Sequence, residues 1–367
     1  MDSFNLRYHR QIILPEIGVA GQEKIAAAKV LVIGAGGLGC PILQYLVAAG
    51  IGKIGIVDFD IVDISNLHRQ ILYGKSSVGV NKAIAAKNRL TDLNPDIDIV
   101  AYPEKLTTKN AIVLFSEYDI VVDGTDNFST RYLVNDACVL SQKPLVYGAI
   151  FKYEGQVAVF NYKNGPTYRC LFPEPPAAGS VPSCAEIGVL GVLPGIIGSM
   201  QANEVLKIVL ELGDVLSGKL FTYDCLTNQS LAFGVPRVES QVIKVLDMAT
   251  SFETTDYDLF CGIKKGVDIT AKDAFLIKNA CFIDVREEHE QPKIDNLNPI
   301  YIPLGELEEK IDTIPKDKEL VVFCQSGIRS KKALEMLLQH DFKNVSHING
   351  GAIALYNNKP NVTDHKR

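Results

Sequence analysis

The chain has 367 residues, 47% of them hydrophobic, with a formal net charge of −6 and a pI near 5.6. That length is enough for two domains or more with sizeable cores. The acidic balance argues against a broad nucleic-acid or anionic-membrane surface.

The first residues carry no apolar secretory segment. The longest apolar stretch, residues 187–200, is interrupted by Pro194 and four glycines and is too short to span a bilayer. A cytoplasmic protein is therefore expected. The eight cysteines show no tight pairing in sequence, so reduced thiols are expected over a disulfide framework.

Residues 1–29 hold Arg7-Tyr8-His9-Arg10-Gln11 ahead of an apolar trio, then a helical stretch around 21–25. The run Val30-Leu31-Val32-Ile33 breaks at Gly34-Ala35-Gly36-Gly37-Leu38-Gly39. It passes into a helical apolar period through Leu43, Leu46 and Val47, and returns as a strand over 54–57 that closes on Asp58. This is a βαβ unit. Glycines Gly34, Gly36, Gly37 and Gly39 let the backbone approach a phosphate, the helix N-terminus supplies oriented N–H groups, and an acid closing the second strand can take a ribose hydroxyl. A nucleotide belongs here, and nicotinamide, flavin and ATP enzymes share the turn.

After Asp58 and Asp60 come Ser65, Asn66, Arg69 and Gln70, and Lys82 opens a helix that continues to Leu90. Residues 97–101 predict a strand, 109–115 a helix, and 120–123 a buried parallel strand ending in Gly124-Thr125-Asp126-Asn127. Ligand-facing groups in such sheets sit just past strand C-termini. A triphosphate attacked at its α-phosphorus needs cations on its outer oxygens and a metal-binding carboxylate, whereas a dinucleotide pyrophosphate is satisfied largely by backbone N–H groups. Arg69, Lys82 and Asp126 meet the first requirement.

RYHRQI, GAGGLG, VDFDIVDISNLHRQ, Lys82, GTDNFSTRYLVNDAC and SCAEIGVLGVLPGIIGSMQANEVLKI together resemble the MoeB/ThiF family of ubiquitin-activating-type adenylyltransferases over residues 1–246. The resemblance implies that Gly37, Asp58, Asp60, Ser65, Asn66, Arg69, Gln70, Lys82, Asp126 and Asn127 bind ATP. It further implies that Asp126 holds Mg²⁺ and that Arg10 reaches the phosphates in a second copy, hence a homodimer. Residues 144–162 predict antiparallel strands, a floor for a protein substrate. Where many members of the family carry the first half of a zinc-binding C-x-x-C pair, this chain has Thr167 and Cys170, so no structural zinc site is expected. Residues 175–182, rich in Pro, Ala, Gly and Ser, predict a crossover, and the resemblance places a reactive cysteine at Cys184, directly after it. A helix over 201–212 and a strand over 219–224 follow.

Near residue 250 the charged fraction rises from 18% to 30% with no change of sign, as a smaller appended domain would show. Residues 247–256 are expected as a linker, 257–358 as the second domain and 359–367 as a tail. Strands are predicted over 281–286 and 319–323 and a helix over 330–339. Between the last two lies Cys324-Gln325-Ser326-Gly327-Ile328-Arg329, a strand-end cysteine followed by a short loop and a helix N-terminus. Such a loop is an anion-stabilising cup for a thiolate or persulfide. Its four residues between Cys and Arg make it tighter than the five-residue phosphate loop of a tyrosine phosphatase. With Asp284-Val285-Arg286 and the HINGG run, CQSGIRS resembles the rhodanese family.

The fold class expected is α/β: a Rossmann-like ATP-binding domain with a mixed sheet and a smaller α/β rhodanese-like domain. The two resemblances imply adenylation of the C-terminal glycine of a small ubiquitin-like sulfur carrier ending in Gly-Gly, followed by sulfur transfer from a persulfide on Cys324. A persulfide donor such as a cysteine desulfurase would load that thiol. Cys184 would resolve an acyl disulfide or carry the acyl group as a thioester. Rival readings are carrier conjugation to lysines through Cys184, a nicotinamide oxidoreductase with an accessory sulfur domain, and a non-catalytic scaffold.

Overall fold

The computed structural model describes residues 3–176, 188–261, 267–277, 280–316, 318–340, 342 and 345–358. The chain divides into two compact units, Met1–Tyr257 and Asp258–Arg367.

The first unit is built on an eight-stranded sheet of order β3-β2-β1-β4-β5-β6-β7-β8. Strands β1 (Lys29–Ile33), β2 (Lys53–Val57), β3 (Asp98–Tyr102), β4 (Ile120–Asp123) and β5 (Leu145–Phe151) run parallel. β6 (Glu154–Phe160), β7 (Lys219–Asp224) and β8 (Gln229–Gly234) continue it antiparallel, giving the expected mixed sheet. Val30, Leu31 and Val32 are all fully buried because helices cover both faces, and a strand so placed reads as an unbroken apolar run. Each such side chain contributes about 1.5–3 kcal/mol relative to an exposed one.

β1 pairs with β2 on one side and β4 on the other. The chain leaves β1 through helix α1 (Gly39–Ala49) toward β2 and β3, then returns to β4, so the connections diverge at the C-terminal ends of β1 and β4 and open a crevice there. Helix Leu193–Leu210 packs on α1, with Leu43, Leu46, Val205 and Ile197 in one apolar cluster. It starts well before the expected Gln201, because Pro194 occupies its first turn, where a missing N–H costs nothing.

Residues 247–256, expected as a linker, pack onto this unit. Phe252 is buried, and the Thr108 hydroxyl donates to the Glu253 carbonyl at 2.8 Å. Beyond them Tyr257 donates to Asp136 at 2.7 Å. No helix among the described residues is long and apolar enough to cross a membrane.

The second unit is a smaller, all-parallel sheet of order β11-β10-β12-β13-β9. Its strands are β9 (Val267–Ile269), β10 (Cys281–Asp284), β11 (Ile300–Tyr301), β12 (Leu320–Phe323) and β13 (Val345–Ile348). Alternate residues feed two cores. Ile283, Leu320 and Val322 face a cluster with Ala333 and Leu337, while Phe282, Val321 and Phe323 face another with Ala352 and Leu355. Helices Ile328–Gln339 and Gly351–Asn357 cover them.

Candidate functional site

The glycine turn after β1 closes against the end of β4. Gly34 sits at φ +90°, and a Cβ there would lie 2.9 Å from the Gly124 carbonyl oxygen, while the Gly124 amide donates to the Ile33 carbonyl at 2.8 Å. A Cβ on Gly39 would fall 2.0 Å from the Gly34 carbonyl oxygen, so α1 starts directly beneath the turn. Its N-cap, Leu38, provides no side-chain cap; the Cys40 amide donates to the Gly36 carbonyl at 2.9 Å and Pro41 has no N–H, so what the helix start offers an anion is chiefly the positive end of its dipole.

Asp58, at the end of β2, anchors this turn. One carboxylate oxygen accepts the Ala35 amide at 2.7 Å and the other the Asp60 amide at 2.9 Å. Desolvation pushes its carboxyl up, opposed by the Ala35 hydrogen bond and the charge of Lys82. Lys82, buried at the first position of helix Lys82–Leu93, is 3.1 Å from the exposed Asp60 carboxylate. Asn81 caps that helix and also donates to the Asp58 and Asp60 carbonyls, which ties the cation to the strand end.

Arg69 and Gln70 lie over the turn. A Cβ on Gly37 would be 3.9 Å from Arg69 Cδ, and one on Gly36 would be 3.6 Å from Gln70 Nε2. The Arg69 guanidinium is exposed, donating to the Ser65 carbonyl at 3.2 Å beside the His68 ring at 2.7 Å. Ser65 and Asn66 form a short 3-10 turn capped by Asp63, whose amide donates to Asn66 Oδ1. Across the crevice Asp126 and Asn127 are exposed past β4, and Asn127 caps helix Phe128–Leu140.

Two residues that motif reading passed over support this edge. The buried Asp123 carboxylate accepts both the amide and the hydroxyl of Thr125, and Arg131 donates to the Thr125 carbonyl at 3.2 Å, holding the segment that presents Asp126. Among the described residues, Asp123 Oδ2 and Gln70 Oε1 are buried without a hydrogen-bond partner. The uncapped helix start and the glycine turn suit a phosphorylated ligand, whereas the two unmet atoms are acceptor oxygens and suit a donor such as a hydroxyl or amino group.

Arg10 does not join this crevice in its own chain. It lies in the last turn of helix Ser3–Ile12, where the adjacent Gln11 donates to the Ala49 carbonyl at the far end of α1 from the glycine turn, about 16 Å along the helix. Cys184, and the crossover from residue 177 on, lie outside the described residues. At the position discussed for zinc, Cys170 Sγ instead accepts the Thr167 amide at 3.3 Å and the Val238 amide at 3.3 Å. Among the described residues no group of three or more His, Cys, Asp or Glu side chains is placed to hold a metal. A single carboxylate such as Asp126 suits Mg²⁺, which keeps waters and phosphate oxygens as its remaining ligands.

The second unit carries a separate thiol site. Cys324 follows β12, and the loop curls so that the Gly327 amide donates to its sulfur at 3.2 Å. Gly327 sits at φ +105°, and a Cβ on Gly351 would meet the Cys324 carbonyl oxygen at 2.2 Å, so glycines close the cup from two sides. Burial raises the thiol, but hydrogen bonds from the Ser330 hydroxyl and from the Ser330, Ser326 and Gly327 amides outweigh it and hold Cys324 below the ordinary thiol range. The Cys40, Cys138 and Cys281 thiols go the other way, raised by burial, Cys40 to about 12. Around the rim, Arg329 is bidentate to Glu290 at 2.6 Å for both bonds, and Arg286, fixed by Asp284, donates to Gln325 at 2.9 Å.

Comparison with known proteins finds the ThiF family model over residues 8–242 and a rhodanese-like domain over 267–357. The "Sulfur carrier protein adenylyltransferase" of Thermus thermophilus is 52% identical over 70% of this chain and 97% of its own length. The "Probable adenylyltransferase/sulfurtransferase MoeZ" of Mycobacterium tuberculosis is 41% identical over 95% of this chain and 92% of its own length. The "Adenylyltransferase and sulfurtransferase MOCS3" of Xenopus laevis is 41% identical over 83% of this chain and 71% of its own. Among solved structures, E. coli MccB with ATP aligns at TM-score 0.55 and 21% identity, over 63% of this chain and 71% of that one, a likeness of fold.

Proposed function

The chain belongs to the ThiF family and carries a rhodanese-like domain behind it, and we propose that it is an adenylyltransferase and sulfurtransferase acting on a small ubiquitin-like sulfur carrier. The observation that carries this reading is the pairing in one chain of a cation-lined glycine crevice with a cysteine whose thiol is lowered by a cup of donors.

The carrier's C-terminal glycine carboxylate attacks the α-phosphorus of ATP, forming an acyl-adenylate and releasing pyrophosphate. Gly34, Gly36, Gly37 and Gly39 let the phosphates approach the backbone, and Ser65, Asn66, Gln70 and Asn127 line the nucleotide. Lys82 and Arg69 neutralise the developing charge, joined by Arg10 of a second copy. Asp126 would hold Mg²⁺, which supplies further charge neutralisation on the phosphates when bound. The exposed Leu6, Ile13 and Leu14 beside Arg10 support a homodimer.

A persulfide on Cys324, loaded by a donor of the cysteine desulfurase class, attacks the acyl carbon and expels AMP. The acyl disulfide so formed is cleaved when the Cys184 thiol attacks the Cys324 sulfur, releasing the carrier thiocarboxylate and leaving a disulfide that a cellular dithiol reduces. The thioester role for Cys184 is the alternative. Carrier-dependent exchange of labelled pyrophosphate into ATP tests the first half. Exchange that requires the carrier's terminal glycine supports the reading, and none with any Gly-Gly carrier overturns it.

A further inference from the structure

The turn that follows β10 is fastened to both ends of the Cys324 loop. Gln325, the first residue after the cysteine, donates from Nε2 to the Gln291 carbonyl at 2.8 Å and accepts Arg286 on Oε1 at 2.9 Å. At the other end Arg329 is bidentate to Glu290, at 2.6 Å for both bonds. The Glu287 amide donates to the same Glu290 Oε1 at 2.9 Å, and the Glu290 amide donates to the Glu287 carbonyl at 3.0 Å. Three donors thus fix a carboxylate whose side chain is only 19% exposed, unlike a loose surface ion pair.

Both guanidinium groups at the loop are occupied. Arg286 is held by Asp284 through contacts of 2.7, 2.9 and 3.1 Å between two buried side chains, and Arg329 is held by Glu290. Among the described residues of this unit there is no other arginine, and the turn adds the exposed carboxylates of Glu287 and Glu288. Lys331 and Lys332, the next cations along the chain, are exposed on the helix beyond the loop. A donor that reaches the Cys324 sulfur therefore meets the Gly327 amide, 3.2 Å from that sulfur, and around it guanidinium charges already matched by carboxylates.

That balance distinguishes two kinds of sulfur donor. With thiosulfate, the Cys324 thiolate attacks the outer sulfur, the S–S bond breaks and sulfite leaves with the electron pair, so one dianion has to enter and another to depart beside Glu290. With a cysteine persulfide, the same attack releases the donor's thiolate, the outer sulfur keeps its proton, and the incoming group is uncharged. We propose that Glu290 is a specificity-determining residue of the Cys324 site: by matching the Arg329 charge it disfavours anionic donors such as thiosulfate and leaves the site to persulfides. The inference rests on the reading of Cys324 as the sulfur-bearing thiol and names the class of donor that thiol accepts.

The test compares alkylation of Cys324 by iodoacetate and by iodoacetamide in the full-length protein at one neutral pH, followed at the Cys324 peptide by mass spectrometry. The two reagents differ by one charge and react with the same thiolate, so their rate ratio cancels any change in the thiol's ionisation. Glu290→Gln should raise the iodoacetate-to-iodoacetamide ratio about threefold, the effect of one unit charge acting through water over several ångströms. Arg329→Gln should lower it about threefold, and the double variant should return to the wild-type ratio. At high salt, where screening shortens to about 3 Å, these differences should collapse. A ratio unmoved by Glu290→Gln, shifts of the same sign in both single variants, or differences that persist at high salt overturn the proposal. Loading of Cys324 by thiosulfate, read as a one-sulfur mass gain on the same preparations, should be about tenfold faster in Glu290→Gln, the threefold effect squared for a dianion. Equal thiosulfate rates in the wild type and Glu290→Gln overturn it too. Alkylation needs neither sulfur donor nor carrier. Shifted ratios on a Cys324 that takes sulfur from neither thiosulfate nor cysteine persulfide would therefore sink the functional reading and leave the charge discrimination standing.

Discussion

The Asp58 carboxylate accepts the Ala35 amide at 2.7 Å, across the turn that would cradle the phosphates. The acid that closes β2 therefore shapes the glycine loop, whatever else it binds. Asp58→Ala should leave the Ala35 and Asp60 amides without their acceptor, costing about 1–3 kcal/mol and removing pyrophosphate exchange. Asp58→Asn keeps one acceptor and should fall between the two in thermal melts. Equal melting of all three proteins would contradict the anchoring role.

Asp126 is exposed and lies outside the core. Asp126→Ala should change stability by less than about 0.5 kcal/mol while abolishing exchange, and chelation of divalent cations should do the same to the wild type. Exchange that survives the substitution would refute the metal role.

The pair Asp136–Arg169 is buried, bidentate at 2.7 Å for both bonds, and Tyr257 donates to the same carboxylate at 2.7 Å. Removing one partner of a buried pair leaves an uncompensated charge, so Asp136→Ala should cost about 3–5 kcal/mol. Tyr257→Phe should cost about 1–3 kcal/mol. Urea denaturation checks both, and a midpoint unmoved by Asp136→Ala would contradict the assignment.

The Arg329 guanidinium holds the Glu290 carboxyl down at about 2. A depressed carboxyl stabilises the fold above its unfolded value, near 4.3. Its contribution should therefore be lost as pH falls from about 4.3 to about 2, and it is modest because Arg329 is partly exposed. Glu290→Gln should flatten that part of the pH–stability curve. A curve that superimposes on the wild type would show the pair to be inert.

Much of this was legible in the sequence because the signals are local. The run from Val30 to Ile33, the glycines after it and Asp58 lie within one βαβ unit, and Cys324 and its loop are contiguous. Groups brought together from far apart were not legible. Asp136 meets Arg169 and Tyr257 only in the folded unit, and His347 meets Asp268 only through the pairing of β13 and β9. Strand β8 has no buried residue, so it carries no apolar alternation to find. Pro194 read as a break in a run that is in fact a helix start.

Whether a glycine activated in the larger unit receives its sulfur from Cys324 is decided by Cys324→Ala. Carrier-dependent pyrophosphate exchange and intact-mass analysis of the carrier should be run on the same preparation. Full exchange with no oxygen-to-sulfur mass gain at the carrier terminus is expected of the variant, and both are expected of the wild type. A thiocarboxylate formed by Cys324→Ala at the wild-type rate would contradict that route.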